Sequence, residues 1–110
     1  MMKISAAAYT GSPSHSTISL LLNLKGTTAV ALADTGSTNT FMDYKFAVKQ
    51  NILLTPVPAK TVTVAGGGIL ISEYIAHKCP FEIQGVEFCT EFRILELQGA
   101  DAILGVNWFT

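Results

Sequence analysis

Val, Ile, Thr and Phe recur along the chain in short runs separated by Gly, Pro, Asn and Ser. That pattern predicts many short strands. In Thr17–Asn23 the alternation places Ile18, Leu20 and Leu22 on one face of a strand. Lys25-Gly26 is a turn signal, and Thr27 to Ala33 returns as a second strand. That strand is nearly all apolar or small, which predicts burial on both faces. The hairpin delivers Asp34 at its end. Met42 to Asn51 predicts a short helical turn with Phe46 and Ala47 packed inward. Lys60-Thr61-Val62-Thr63-Val64 alternates as a strand, Ala65-Gly66-Gly67-Gly68 follows, and Ile69 to His77 reads as the returning strand. Phe81 to Gln84, Gly85, and Val86 to Ile94 form another expected hairpin with Gln84-Gly85 at its turn. Asp101-Ala102-Ile103-Leu104 is a final short strand. Gly105 then permits a change of direction into a helix start at Val106-Asn107-Trp108. No fixed-period repeat or linker is visible. The pattern predicts an all-β chain with one or two short helices.

Composition narrows the classes. The 110 residues suit one domain. At 49% hydrophobic and 14% charged the chain is globular, and so small an interior leaves apolar surface for a partner. The net charge of -1, with no basic stripe, argues against bound nucleic acid. No apolar run approaches the ~18 residues of a membrane span. The N-terminus lacks an apolar h-region, so no secretory signal is read there. Two cysteines, Cys79 and Cys89, fit reduced thiols and a cytoplasmic chain. They lack the spacing of a zinc site, and neither metal nor cofactor is expected. Cys89 lies in an apolar run and is expected in the core. His15 is expected in an exposed loop, His77 at a surface or edge, and Trp108 as a packed anchor. Glu73, Glu82, Glu87, Glu91 and Glu96 are expected on solvated strands or loops.

The chemistry concentrates at Asp34-Thr35-Gly36-Ser37, directly after the apolar strand. Peptide hydrolysis by carboxylates needs two of them sharing one proton. The ionised one takes a proton from the attacking water, and the protonated one supports the carbonyl oxygen. Like charges about 3 Å apart cannot both ionise, a principle for which aspartic proteases are the standard example. Gly36 can hold a turn that a side chain would obstruct. Thr35 offers a hydroxyl across to a partner loop, and Ser37 another near the outer carboxylate oxygen. The plainer alternative is an Asx-type turn ending a strand, since all four are ordinary turn residues. Two further features bear on the choice. Ala65, Gly66, Gly67 and Gly68 fit either a flexible hairpin turn or a mobile flap over an extended substrate. Ile103, Leu104 and Gly105 fit either a core strand stopped by Gly or an apolar support beneath a catalytic loop.

Taken in order, Ala33-Asp34-Thr35-Gly36-Ser37, the Gly-rich segment and Ile103-Leu104-Gly105 resemble a retropepsin, the protease of retroviruses and long-terminal-repeat retrotransposons. Phe41-Met42-Asp43, Ile83-Gln84-Gly85 with Phe88, and Asp101 to Phe109 resemble the Ty3/gypsy retrotransposon proteases of plants in particular. The likeness runs from about Ile18 to Phe109. It implies a small closed β-barrel working as a symmetric homodimer on a polyprotein substrate. It further implies Asp34 as the catalytic aspartate, Thr35 in inter-subunit hydrogen bonding, Gly36 completing the loop, residues 65–68 as flap tip and 103–105 as support. Residues 17–110 would form the protease domain, and 1–16 an N-terminal segment with Ile4 to Tyr9 as a candidate edge strand.

Counting carboxylates requires a dimer for this mechanism. Of the three aspartates, Asp34, Asp43 and Asp101, only Asp34 precedes Thr-Gly. The second carboxylate must then be the Asp34 of another copy, across a twofold axis. The chain departs from the family in stopping at Thr110, where retropepsins continue into a C-terminal interface strand. That departure motivates the alternative of a catalytically silent domain used in binding or oligomerisation. A third reading is an unrelated small barrel with a chance Asp-Thr-Gly.

Overall fold

Strand periodicity and turn residues translate directly into the computed structural model, which describes residues 2–11 and 17–109. His15 lies outside the described residues. The elements are β1 (Met2–Ile4), α1 (Ala6–Thr10), β2 (Thr17–Leu24), β3 (Thr27–Asp34), β4 (Phe41–Asp43), α2 (Tyr44–Lys49), β5 (Thr55–Val64), β6 (Ile69–Ile83), β7 (Val86–Leu95), β8 (Ala102–Leu104) and α3 (Val106–Phe109). Lys25 (φ 53°) and Gly26 (φ 82°) turn β2 into β3, and Gln84 (φ 49°) and Gly85 (φ 82°) turn β6 into β7. Two successive positive-φ residues suit the right-handed twist of a tight hairpin. Asp43 caps α2, its side chain accepting from the Phe46 N–H at 3.2 Å. Phe46 and Ala47 are buried as the pattern predicted. Among the described residues no helix is long and apolar enough to cross a membrane.

Six strands close a ring in the order β6-β2-β3-β8-β4-β7, with β6 and β7 pairing to shut it. The junction of β2 with β6 rests on Asn23 opposite Glu82. Outside the ring, β5 lies antiparallel to the first half of β6, and β1 lies parallel to β5 at the edge. The fold is therefore an all-β closed barrel with a few short helices. There are three helices among the described residues; α1 takes up most of Ile4 to Tyr9, the candidate edge strand, and the strand lies instead at Met2–Ile4.

Strand alternation sorts the apolar residues into two cores. Ala31, Met42, Ile94, Ala102 and Leu104 join Leu22, Leu24, Phe81 and Phe92 inside the barrel. Their immediate chain neighbours Leu32, Phe41, Leu95 and Ile103 point the other way, into a second cluster with Ile4, Ala8, Val62 and Val64. Four strands are thus apolar on both faces because each separates two cores.

Several sequence expectations need correction. Double burial holds only for the C-terminal half of β3, since Thr28 is exposed and Val30 is 41% exposed. Only that half has the second cluster behind it. The face of Ile18, Leu20 and Leu22 loses burial along β2: Leu22 is buried, Leu20 half-buried and Ile18 67% exposed. That end of the strand runs past the barrel core. Cys89 is exposed, whereas Cys79 is buried, and both are free. Alternation along β7 puts Cys89 on the outer side with Glu87 and Glu91, opposite to buried Phe92. Trp108 packs on Phe88 and Phe81, with ring centroids 5.2 and 6.4 Å away. His77 is a surface residue, its Nδ1 lying 3.2 Å from Glu91 Oε1.

Candidate active site

Two strands place Asp34. β3 carries it at its C-terminal end, paired with β2 so that Thr17 stands opposite it. On its other side β3 runs parallel to β8, with Leu32 beside Ile103 and Ala33 beside Leu104. The following turn is closed by the Ser37 N–H donating to the Asp34 carbonyl at 3.3 Å. Within it the Gly36 N–H donates to Asp34 Oδ1 at 3.0 Å. The Ser37 hydroxyl donates to Oδ2 at 2.5 Å. A Cβ on Gly36 would lie 3.3 Å from Oδ1 and 3.0 Å from the Ser5 Cβ, so a side chain would crowd the carboxylate. Thr35 is exposed, while Asp34 and Ser37 are completely buried.

The end of β8 braces this loop from below. The Val106 N–H donates to the Ser37 carbonyl at 2.8 Å. The Gly105 N–H donates to Thr40 Oγ1 at 3.2 Å, and Thr40 donates onward to Asn107 Oδ1 at 2.9 Å. A Cβ on Gly105 would overlap the backbone of Asn39 and Ser37. Only glycine allows the two loops to approach so closely. Ile103, Leu104 and Gly105 thus lie against the Asp34 loop. Thr38 and Thr40 do more than finish the turn, since both bond outward to other segments.

Residues 65–68 form the tip between β5 and β6, with Gly66, Gly67 and Gly68 all at positive φ. The tip does not stand free of the rest. The Ala65 N–H donates to the Ile4 carbonyl at 3.0 Å. One residue further on, the Ser5 hydroxyl donates to Asp34 Oδ2 at 2.7 Å. The N-terminal segment therefore connects the Gly-rich tip to the carboxylate. Sequence reasoning missed Ser5. Its signal was a serine before Ala6-Ala7-Ala8 with a glycine at position 11, the capping pattern of one helical turn.

The other two aspartates have different work. Asp43 caps α2 and accepts from the Leu97 N–H at 2.9 Å. Asp101 accepts from the Val30 N–H at 2.9 Å, tying the last strand to β3. Among the described residues no group of His, Cys, Asp and Glu is placed to hold a metal ion.

A closed six-stranded barrel presenting Asp-Thr-Gly-Ser at the end of an inner strand is the architecture of a retropepsin-like domain. The model of the retroviral aspartyl protease family matches residues 2–110, and the chain belongs to that family. Among solved structures it is similar to the retroviral protease-like domain of Ddi1 from Leishmania major. That match has a TM-score of 0.68 and 19% identity, and it covers 86% of this chain and 75% of the other. At that identity the likeness concerns the fold. No curated protein matches the chain.

Proposed function

We propose that the chain is one half of an aspartic endopeptidase, with the Asp34 carboxylates of two copies sharing a proton and activating a water against an extended peptide. The observation that carries this is the Asp34 loop itself: one carboxylate at a strand end, met by the Gly36 N–H and the Ser37 hydroxyl and braced by Gly105. Of the three aspartates, Asp43 caps α2 and Asp101 ties the last strand to β3, and Asp34 is the one proposed for catalysis. In this reading Thr35 bonds across the dimer axis, residues 65–68 cover the substrate and 103–105 support the loop. The substrate adds as a strand, its backbone bonded along its edges and alternate side chains in pockets. The polyprotein of a Ty3/gypsy-type retrotransposon, plant-like in its motifs, is the substrate that the resemblance suggests.

Asp34→Asn keeps shape and donors nearby but removes the base. It is expected to abolish cleavage of a peptide library, a loss of at least about 10³-fold for a group central to proton transfer, with an unchanged circular dichroism spectrum. Retained turnover by that variant would rule out the mechanism. The complete burial of Asp34 in a single chain favours the second reading, a catalytically silent domain serving in binding or oligomerisation.

A further inference from the structure

The second core is filled in part by the segment that precedes the barrel. β1 lies parallel to β5, with Met2, Lys3 and Ile4 beside Val62, Thr63 and Val64. Its opposite edge is bonded to the loop after Asp34. The Lys3 N–H donates to Thr38 Oγ1 at 2.9 Å, and the Thr38 N–H donates to the Lys3 carbonyl at 2.9 Å. The Ser5 N–H reaches Ser37 Oγ at 3.4 Å. An extended strand is thus held on one side by the flap hairpin and on the other by the active-site loop. Its side chains alternate as a bound peptide's would: Lys3 is exposed, while Ile4 is wholly buried among Val62, Val64, Leu32 and Ile103. α1 continues the cover. Ala8 is wholly buried, the Gln98 N–H donates to the Tyr9 carbonyl at 3.1 Å, and Gly11 meets Gly99 so closely that neither has room for a Cβ.

We infer that residues 2–11 form an intramolecular plug, a pseudosubstrate strand that occupies the peptide cleft over Asp34 and keeps the chain latent until it withdraws. The inference rests on the proposed role of Asp34 as the catalytic carboxylate. The plug's chemistry explains why it covers the site without being cut. Ser5 presents a hydroxyl to Oδ2 where an attacking water would bind. The Ser5 carbonyl, the group that hydrolysis would need, is instead bound by the Tyr9 N–H at 3.0 Å inside α1. The chain turns into a helix at the residue that meets the carboxylate, capped by the same hydroxyl accepting from Ala8 N–H at 3.1 Å. A carboxylate with no exposure can meet neither a substrate nor a second Asp34 while this segment is seated.

The test uses the full chain. Ile4→Glu puts a charge where none can be buried and so unseats the strand. A fluorescein-labelled synthetic peptide of residues 2–9 is the probe. Its affinity for the Ile4→Glu protein, read by anisotropy, is expected to exceed that for the wild type by about tenfold or more, because apparent affinity scales with the open fraction. Peptide-library turnover is expected to rise with it. The reverse arm ties the plug down: Lys3→Cys with Thr63→Cys, in a Cys89→Ser background, joins neighbours on β1 and β5. The oxidised protein is expected to lose probe binding and turnover, and dithiothreitol to restore both. Failure of the cysteines to bridge, or undiminished binding in the bridged protein, overturns the plug; should Ile4→Glu fail to fold, this arm decides alone. Probe binding by Ile4→Glu without turnover would keep the plug and discard Asp34 catalysis. Turnover that Asp34→Asn abolishes but that the oxidised tether leaves unchanged would do the opposite.

Discussion

Asp34, Asp43 and Asp101 are one residue type with three fates, decided by what each carboxylate meets. Two accept backbone N–H groups and tie loops together. The third accepts from Gly36, Ser37 and Ser5, so its complete burial leaves both oxygens hydrogen-bonded. The two cysteines diverge in the same way. Burial pushes the Cys79 thiol up from its ordinary value of 9.0, Cys89 nearby adds to the shift, and Lys25 opposes it. Cys89, exposed on the outer side of β7, is expected to react with iodoacetamide at pH 8, while Cys79 reacts only on unfolding, as read by mass spectrometry of the alkylated protein. The sign of the pH effect follows from the raised thiol. The folded state holds the proton more tightly than the unfolded chain, so the contribution of Cys79 to stability is present at neutral pH. It falls as pH climbs past that ordinary value and through the raised one. Urea midpoints for wild type and Cys79→Ala at pH 7 and pH 10 should show that difference.

At the scale of elements, the informative feature is that β3, β4, β7 and β8 separate two cores. Leu104 has no exposure and looks into the barrel, whereas Val30, on the neighbouring strand, is 41% exposed. Leu104→Ala is expected to cost about 2–5 kcal/mol, and Val30→Ala within about 1 kcal/mol because little area is lost. Equal urea midpoints for the two variants would contradict the assignment of the cores. The same separation explains an ambiguity in the sequence. A nearly apolar strand reads as buried on both faces along its whole length, but the second cluster backs only part of β3. The α1 turn was missed for a different reason. One helical turn carries too few residues for a periodic signal, so only its serine cap and its glycine stop were there to be seen.

For the whole molecule, one carboxylate per chain makes the proposed site a property of two chains. Turnover per chain is therefore expected to rise with protein concentration, as dimers form by mass action. Doping wild type with excess Asp34→Asn is expected to suppress the activity of the wild-type chains, because mixed dimers carry one functional carboxylate. A rate per wild-type chain independent of both concentration and added variant would place the whole reaction within one chain. The plug adds a second equilibrium, since Asp34 is covered before any partner arrives. The folded chain is then a compromise between two uses of one cleft: closing on its own N-terminal strand, or opening to a substrate and a second copy.

The order of apolar strands, glycine turns and the Asp-Thr-Gly-Ser loop was legible in the sequence by itself. These depend on local rules: side-chain alternation, positive-φ turns and a short motif directly after a strand. The family followed from the same ordered motifs, and Asp34 could be singled out because Asp43 and Asp101 lack the glycine that follows it. What only tertiary structure decided was which groups meet across long stretches of chain. Ser5 and Asp34 are 29 residues apart, and Gly105 backs onto Asn39 from the far end of the sequence. Cys89 faces outward through the register of β7 against β6. No local pattern encodes such distances, because closing the barrel brings these segments together, and the N-terminal strand meets Asp34 between the two edges that β5 and the loop after β3 provide.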